Sequence, residues 1–209
     1  DVAHLLGELK KDKVEGVLID LRNNGGGSLA EAIELTGLFI DKGPVVQQRN
    51  ARGEVRVEND THAGFAWNGP LAVLINRSSA SASEIFAAAI QDYGRGLIFG
   101  ETSYGKGTVQ TVIKLDEIAK NSKAPLGNLK MTIAQFFRIN GGTTQLRGVS
   151  PDIDFPSSAD AEEYGESSND NALPWTQIKS ADYSPAGHPS DLLATLRARH
   201  QARAAKDKD

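Results

Sequence analysis

An α/β fold with a parallel sheet and crossover helices is predicted by three observations. The short apolar runs Gly16–Leu21, Pro70–Asn76 and Leu97–Gly100 have the length and content of buried strands. Segments with helical spacing of apolar residues lie between them. The loops that follow these strands are rich in Gly and Ser, which let a chain turn tightly at a strand end. In such a fold the loops at the carboxyl ends of the strands gather on one edge, and function is expected there.

Leu5, Leu6 and Leu9 mark a short amphipathic helix ending near Lys10-Lys11-Asp12, ahead of the first strand. Asn23-Asn24-Gly25-Gly26-Gly27-Ser28 is the loop behind that strand, and Leu29, Ala32, Ile33, Leu35, Thr36 and Phe39 then share a helical face until Gly43-Pro44. Val45 to Val57 alternates as strands about a hairpin turn at Asn50-Ala51-Arg52-Gly53. The strand Pro70–Asn76 leads through a serine cluster into an alanine-rich helix from about Ser83 to Tyr93, closed by Gly94. Leu97–Gly100 is expected to be a third buried strand, Thr108–Leu115 a fourth and Lys130–Ile139 a fifth, turning at Asn140-Gly141-Gly142. Residues 156–187, rich in Ser, Asp, Glu, Asn and Pro, read as a mostly irregular linker with a local anchor at Leu173-Pro174-Trp175. Ser190–Lys206 reads as a charged helix, capped by Ser190 or Asp191 and packed on the domain or on another part of the protein. The predicted division is a core at residues 1–156 and a linker with a carboxyl-terminal helical extension at 157–209, without an internal repeat.

Composition narrows the function. With 39% apolar and 24% charged residues, the 209-residue chain is that of an ordinary globular protein. A net charge of −4 offers no positive field to phosphates, which argues against nucleic acid as a partner. The absence of cysteine excludes thiolate metal sites and cysteine nucleophiles. No run approaches the roughly 20 apolar residues of a membrane span. The chain enters a helical pattern at Asp1-Val2-Ala3-His4 without an initiator methionine, which favours a leader lying outside this segment over a cytosolic chain.

Three strand-end loops carry candidate chemistry: the triple glycine after Asp20, the serine cluster after Asn76, and Gly100-Glu101-Thr102-Ser103-Tyr104-Gly105-Lys106-Gly107. A serine hydrolase needs a nucleophile on a strand-to-helix turn, a base within hydrogen-bond reach and backbone N–H donors for the oxyanion. Ser81 can be read as a helix cap, because Ser81-Ala82-Ser83-Glu84 fits a capping box. The small residues on both sides of Ser81 would also let a peptide approach its hydroxyl, and the Ala82 N–H at the helix start would favour an oxyanion. Lys106 stands between Gly105 and Gly107, which permit close backbone packing around one functional side chain. His4, His62, His188 and His200 are scattered without metal-ligand spacing and read as solvated or structural. No cofactor or metal is expected.

A phosphate loop is the competing motif, since Gly100-x-x-x-x-Gly105-Lys106 follows a strand. It fails at Gly107, where the Ser or Thr for magnesium belongs, and at Thr108–Ile113, which is strand-forming sequence where a helix is required.

Asp20-Leu21-Arg22-Asn23-Asn24-Gly25-Gly26-Gly27, Ser79 through Ile85, Gly100-Glu101 through Gly107 and Gly148-Val149-Ser150-Pro151-Asp152 together resemble the carboxyl-terminal processing proteases, also called tail-specific proteases, in family order over residues 14–156. The resemblance implies a crotonase-like α/β core, a serine–lysine endopeptidase with Ser81 as nucleophile and Lys106 as general base, and Gln110 as the residue that orients the lysine. It implies oxyanion donors from Ala82 and the glycine loop, Gly26 being favoured and Gly25 the alternative. Asp92 matches an acidic position associated with activity, yet eleven helical residues from Ser81 place it about 16 Å away. Asn171-Ala172-Leu173-Pro174-Trp175 and the basic last helix resemble the extension of the larger periplasmic members of Gram-negative bacteria. Periplasmic placement with inner-membrane association, substrates with apolar carboxyl termini, a PDZ domain elsewhere in a longer chain and an adaptor protein are the expected context. The alternative is a fragment that folds but does not cleave, a scaffold or peptide-binding module.

Overall fold

The computed structural model describes residues 1–119, 125–156, 164–187 and 190–206. Its elements are α1 (Val2–Lys11), β1 (Val17–Asp20), α2 (Leu29–Gly37), β2 (Gly43–Asn50), β3 (Val55–Asp60), β4 (Leu71–Ile75), α3 (Ala82–Asp92), β5 (Leu97–Gly100), β6 (Thr108–Lys114), α4 (Leu115–Ile118), β7 (Asn128–Phe137), β8 (Ile153–Asp154) and α5 (Ser190–Ala204). They form two sheets rather than one. A parallel sheet runs β1-β4-β5-β8, and an antiparallel sheet runs β3-β2-β7-β6.

The three apolar runs read as buried strands are β1, β4 and β5, paired in parallel from Val17↔Leu71 and Ala72↔Leu97 onward. The expected fourth and fifth buried strands are corrected: β6 and β7 pair with each other antiparallel, Thr111 opposite Met131 and Ile113 opposite Leu129. The reason is connection length, because a parallel crossover needs about a dozen residues and only residues 101–107 separate β5 from β6. Nor are these strands buried throughout. β6 alternates between half-buried and exposed positions after Thr108, and residues 128–133 of β7 are exposed. The fourth parallel strand is the two-residue β8, beside Phe99 and Gly100.

Helix α3 lies between the sheets and explains its own alanines. Every residue from Ser83 to Ile90 is buried. Phe86, Ala87 and Ile90 join Val73, Ile75 and Ile98 of the parallel sheet, while Ile85, Ala89 and Tyr93 join Val45, Val46 and Phe136 of the antiparallel one. A helix covered all round carries no polar stripe, and small residues let both sheets approach it. Helix α2 starts at Ser28, whose side chain accepts from the Glu31 N–H, and it ends at Gly37, so Phe39 is buried beyond the helix rather than on its face.

Residues 164–187 are irregular apart from a 3₁₀ turn at Glu166–Ser168, and they are fastened as a strap, with Trp175 among the attachments. Trp175 Nε1 donates to Thr143 O at 2.8 Å, and the Arg147 guanidinium covers the Trp175 ring at 3.9 Å. The Ile178 and Ala181 N–H groups donate to Gly141 O and Ile139 O. The last helix packs on β8 through Arg197 Nε, which donates to Asp152 O, and through His200 stacked on Phe155. The caps expected from Ser190 or Asp191 lie outside the described side chains.

Candidate active site

The three strand-end loops meet, tied by hydrogen bonds that no single loop could supply. Asn23 N–H donates to Asn76 Oδ1 and Asn76 Nδ2 to Asn23 Oδ1, each at 2.9 Å, which joins the loop after β1 to the loop after β4. Asn24 O accepts from both Ala80 N and Ser83 Oγ at 3.0 Å. Tyr104 N donates to Ser79 O at 2.9 Å and brings in the loop after β5.

Ser81 is the residue before α3 and has φ 56 and ψ −112, a backbone conformation rare outside glycine. Ala82, the first helical residue, has no partner for its N–H within the helix, and this end of the helix carries partial positive charge. Gly26, at φ 98, lies against both: a Cβ there would come within 2.6 Å of Ala80 O, 2.8 Å of Ala82 N and 2.9 Å of Ser81 Cβ. That contact requires glycine. The Gly26 N–H donates to Asn24 Oδ1 at 3.0 Å, whereas a Cβ on Gly25 would point into open space.

Lys106 reaches the same place from the loop between β5 and β6. Its flanking glycines have distinct neighbours: a Cβ on Gly107 would meet Thr143 Oγ1 at 2.5 Å and Gln145 N at 2.8 Å, and one on Gly105 would meet Leu146 C at 3.0 Å. The lysine is half-buried, and its Nζ donates to Thr108 O at 3.1 Å. Burial lowers its pKa, Lys130 lowers it further, and Glu166 and Glu84 oppose them. Ser81, Ala82, Lys106, Gln110 and Lys130 line one cleft of about 290 Å³. Among the described residues no hydrogen bond joins Ser81 Oγ to Lys106 Nζ.

Gln110 lines the cleft from β6, exposed and next to a register shift between Val109 and Gln110. Among the described residues no hydrogen bond joins it to the lysine amine, which donates instead to Thr108 O. Asp92 is not brought to the cleft at all. It lies at the far end of α3, buried, bonded to Arg138 Nη2 at 2.5 Å and Arg138 Nε at 3.1 Å, and accepting from Asn140 Nδ2 at 2.8 Å. Burial raises its pKa, with Arg138 and Asn140 opposing.

The sequence reading passed over Glu84 as a site residue. Its carboxylate is fully buried and accepts from Ser81 N at 2.7 Å, Ser103 Oγ at 2.6 Å, Gly105 N at 2.8 Å and Lys106 N at 3.0 Å. One side chain thus joins the backbone of the serine to the backbone of the lysine. Burial pushes its pKa up to about 7 against the pull of those four donors. The signal available was a glutamate directly ahead of the apolar run Ile85–Ile90, where a charged group needs partners.

A second cavity of about 160 Å³ adjoins the cleft, sharing Gly27 and Ala82 with it and walled by Leu21, Ala32, Leu35 and Phe86. Glu31 and Asn24 stand at its polar side.

Residues 1–155 match Peptidase family S41, and residues 159–209 match the C-terminal domain of tail specific protease. The chain is 51% identical to the tail-specific protease of Haemophilus influenzae, over 99% of this chain and 30% of that protein. It is 36% identical to the chloroplastic carboxyl-terminal-processing peptidase 2 of Arabidopsis thaliana, over 72% of this chain and 28% of that one. Among solved structures, the photosystem II D1 C-terminal processing protease superposes with a TM-score of 0.64 at 34% identity, covering 74% of this chain and 38% of that one. The chain therefore spans about a third of the length of these relatives.

Proposed function

The chain belongs to peptidase family S41, and from that premise we propose that it carries the catalytic apparatus of a tail-specific serine endopeptidase, with Ser81 as nucleophile and Lys106 as base. The observation that carries this reading is the shared cleft, in which a strained serine at the start of a buried helix faces a half-buried lysine.

The chemistry follows from those groups. Neutral Lys106 Nζ takes the proton from Ser81 Oγ as the oxygen attacks the scissile carbonyl carbon. The oxyanion that forms accepts from the Ala82 N–H and from the glycine loop. Gly26 serves once its N–H turns from Asn24; Gly25 is the alternative. Collapse breaks the C–N bond, and the leaving amine receives the proton held by Lys106. Water then gives its proton to Lys106 and its hydroxyl to the acyl carbon; as the C–Oγ bond breaks, Lys106 returns that proton to Ser81 Oγ, and the new carboxylic acid loses its own proton to solvent. The cavity behind Gly27 and Ala82 suits a small aliphatic substrate side chain.

Gln110 orients the lysine in this reading, and Asp92 supports activity only indirectly. The core is crotonase-like and occupies residues 1–156, with the linker and extension at 157–209. Substrates are proteins with apolar carboxyl termini, presented by a PDZ domain and an adaptor, and the setting is the periplasm at the inner membrane. Among the described residues no helix is long and apolar enough to cross a membrane.

The bond from Lys106 Nζ to Thr108 O favours a second reading, in which this stretch by itself is a resting form that folds without cleaving. One assay decides between them. Hydrolysis of an unfolded protein ending in apolar residues is expected from the purified chain and absent from Ser81→Ala. Cleavage that survives in Ser81→Ala refutes the nucleophile, and cleavage absent from both identifies the resting form.

A further inference from the structure

We propose that Glu166, in the strap that follows the core, is a positioning residue for the Lys106 loop, acting through the buried amide of Gln145. The inference rests on Lys106 being the base. Three contacts carry it. The Glu166 N–H donates to Tyr104 O at 3.0 Å, two residues ahead of Lys106. Gln145 Nε2 donates to Glu166 Oε1 at 3.0 Å. Gln145 Oε1 accepts from the Gly107 N–H at 2.8 Å, one residue after Lys106. The strap thus holds the lysine loop on both sides of the lysine.

The direction of the Gln145 amide is what Glu166 determines. Gln145 is fully buried, so both ends of its amide need partners. A carboxylate accepts only and therefore fixes the NH₂ toward itself, leaving the oxygen for Gly107. Without that acceptor a flipped amide would set its NH₂ against the Gly107 N–H, donor against donor, and the loop would lose its hold. Tyr164 adds a link to the serine side, its ring edge-on to Tyr104 at 5.9 Å and its hydroxyl 3.3 Å from Ser78 Oγ.

The charge of Glu166 also acts on Lys106 directly. Of the groups that bear on the amine, Glu166 and Glu84 favour its protonated form, and Lys130 and burial disfavour it. Glu166 therefore sets both where the base stands and the pH above which it is neutral. Removing its charge alone lowers that pH.

Two variants separate position from charge. Glu166→Gln keeps an oxygen for Gln145 and loses the charge, and Glu166→Ala loses both. A ¹³Cε NMR titration of Lys106 needs no turnover, and in it both variants are expected to titrate at lower pH than the parent, because the carboxylate that favours the protonated amine is gone. In whichever form of the protein hydrolyses peptide, Glu166→Ala is expected to lose roughly tenfold in kcat with KM unchanged, and Glu166→Gln to restore most of it. An unshifted titration together with parental kcat in Glu166→Ala overturns the proposal. Ser81→Ala and Lys106→Arg run beside them: hydrolysis by either sinks the serine–lysine reading itself, whereas inactivity of both with an unmoved Glu166 series sinks only the positioning role.

Discussion

The two sides of the cleft are held by different physics. Ser81 begins a helix whose residues Ser83 to Ile90 are all buried between two apolar clusters, so its place is set by packing. Lys106 lies in a loop held by hydrogen bonds: its own N–H donates to Glu84, the Gly107 N–H donates to the Gln145 side-chain oxygen, and Tyr104 O accepts from the Glu166 N–H. Packing is non-directional and spread over many contacts, whereas a buried hydrogen-bond network depends on every member being satisfied. The nucleophile is therefore the rigid half of the pair, and the base is the half that can be tuned.

The sharpest way to break that comparison is at the base. Lys106→Arg is expected to be as inactive as Lys106→Ala, a loss of at least about a thousandfold in kcat/KM, because a guanidinium stays protonated and cannot accept the serine proton. Burial holds the Lys106 pKa below the ordinary lysine value, so the neutral amine appears at lower pH than for a free lysine. The parent's kcat/KM should rise with pH through that depressed pKa. A flat profile, or activity in the arginine variant, removes Lys106 as the base.

Next in size is Glu84, whose side chain binds the backbone of both halves. Glu84→Ala leaves Ser81 N, Ser103 Oγ, Gly105 N and Lys106 N without their acceptor, and is expected to cost about 3–5 kcal/mol in denaturant unfolding. A loss below about 1 kcal/mol would mean that the carboxylate does not bind the loops together. Asp92 ties the other end of the same helix to Arg138 and Asn140. Asp92→Asn should cost about 1–3 kcal/mol of stability and leave activity per folded molecule within about twofold. A large fall in kcat at unchanged stability would restore Asp92 to the chemistry.

What could be read beforehand follows the same division. The strands β1, β4 and β5 and the helix α3 were legible because burial writes itself as apolar runs and alanines. The second sheet was not, since Met131 and Ile133 look like core residues in a sequence yet lie exposed on β7. At two residues, β8 is too short to carry a pattern. Glycines 105 and 107 pointed to close packing around Lys106 but not to what packs there, which is a loop some forty residues on. Glu84 was hidden by a local explanation, the capping box, that accounts for only one of its four bonds. The strap was legible as irregular chain with an anchor at Trp175; its other attachments were not, because the backbone bonds from Glu166, Ile178, Ala181 and Ala186 are tied to no residue type.

The smallest effect tests the rigid half most directly. Ser81 has φ 56, a conformation that costs a residue with a Cβ about 1–2 kcal/mol and costs glycine almost nothing. Ser81→Ala keeps that strain and gives up any capping by the hydroxyl, so it should fall within about 1–2 kcal/mol of the parent. Ser81→Gly relieves the strain but gains freedom in the unfolded chain worth about 0.5–1 kcal/mol. The first term exceeds the second, so the glycine variant should melt above the alanine variant by a margin on the order of 0.5–1 kcal/mol, with both inactive. Differential scanning calorimetry of the pair reads the difference without any substrate. Were alanine the more stable of the two, the helix would be supplying no strained geometry at Ser81, and packing alone would not account for where the hydroxyl points.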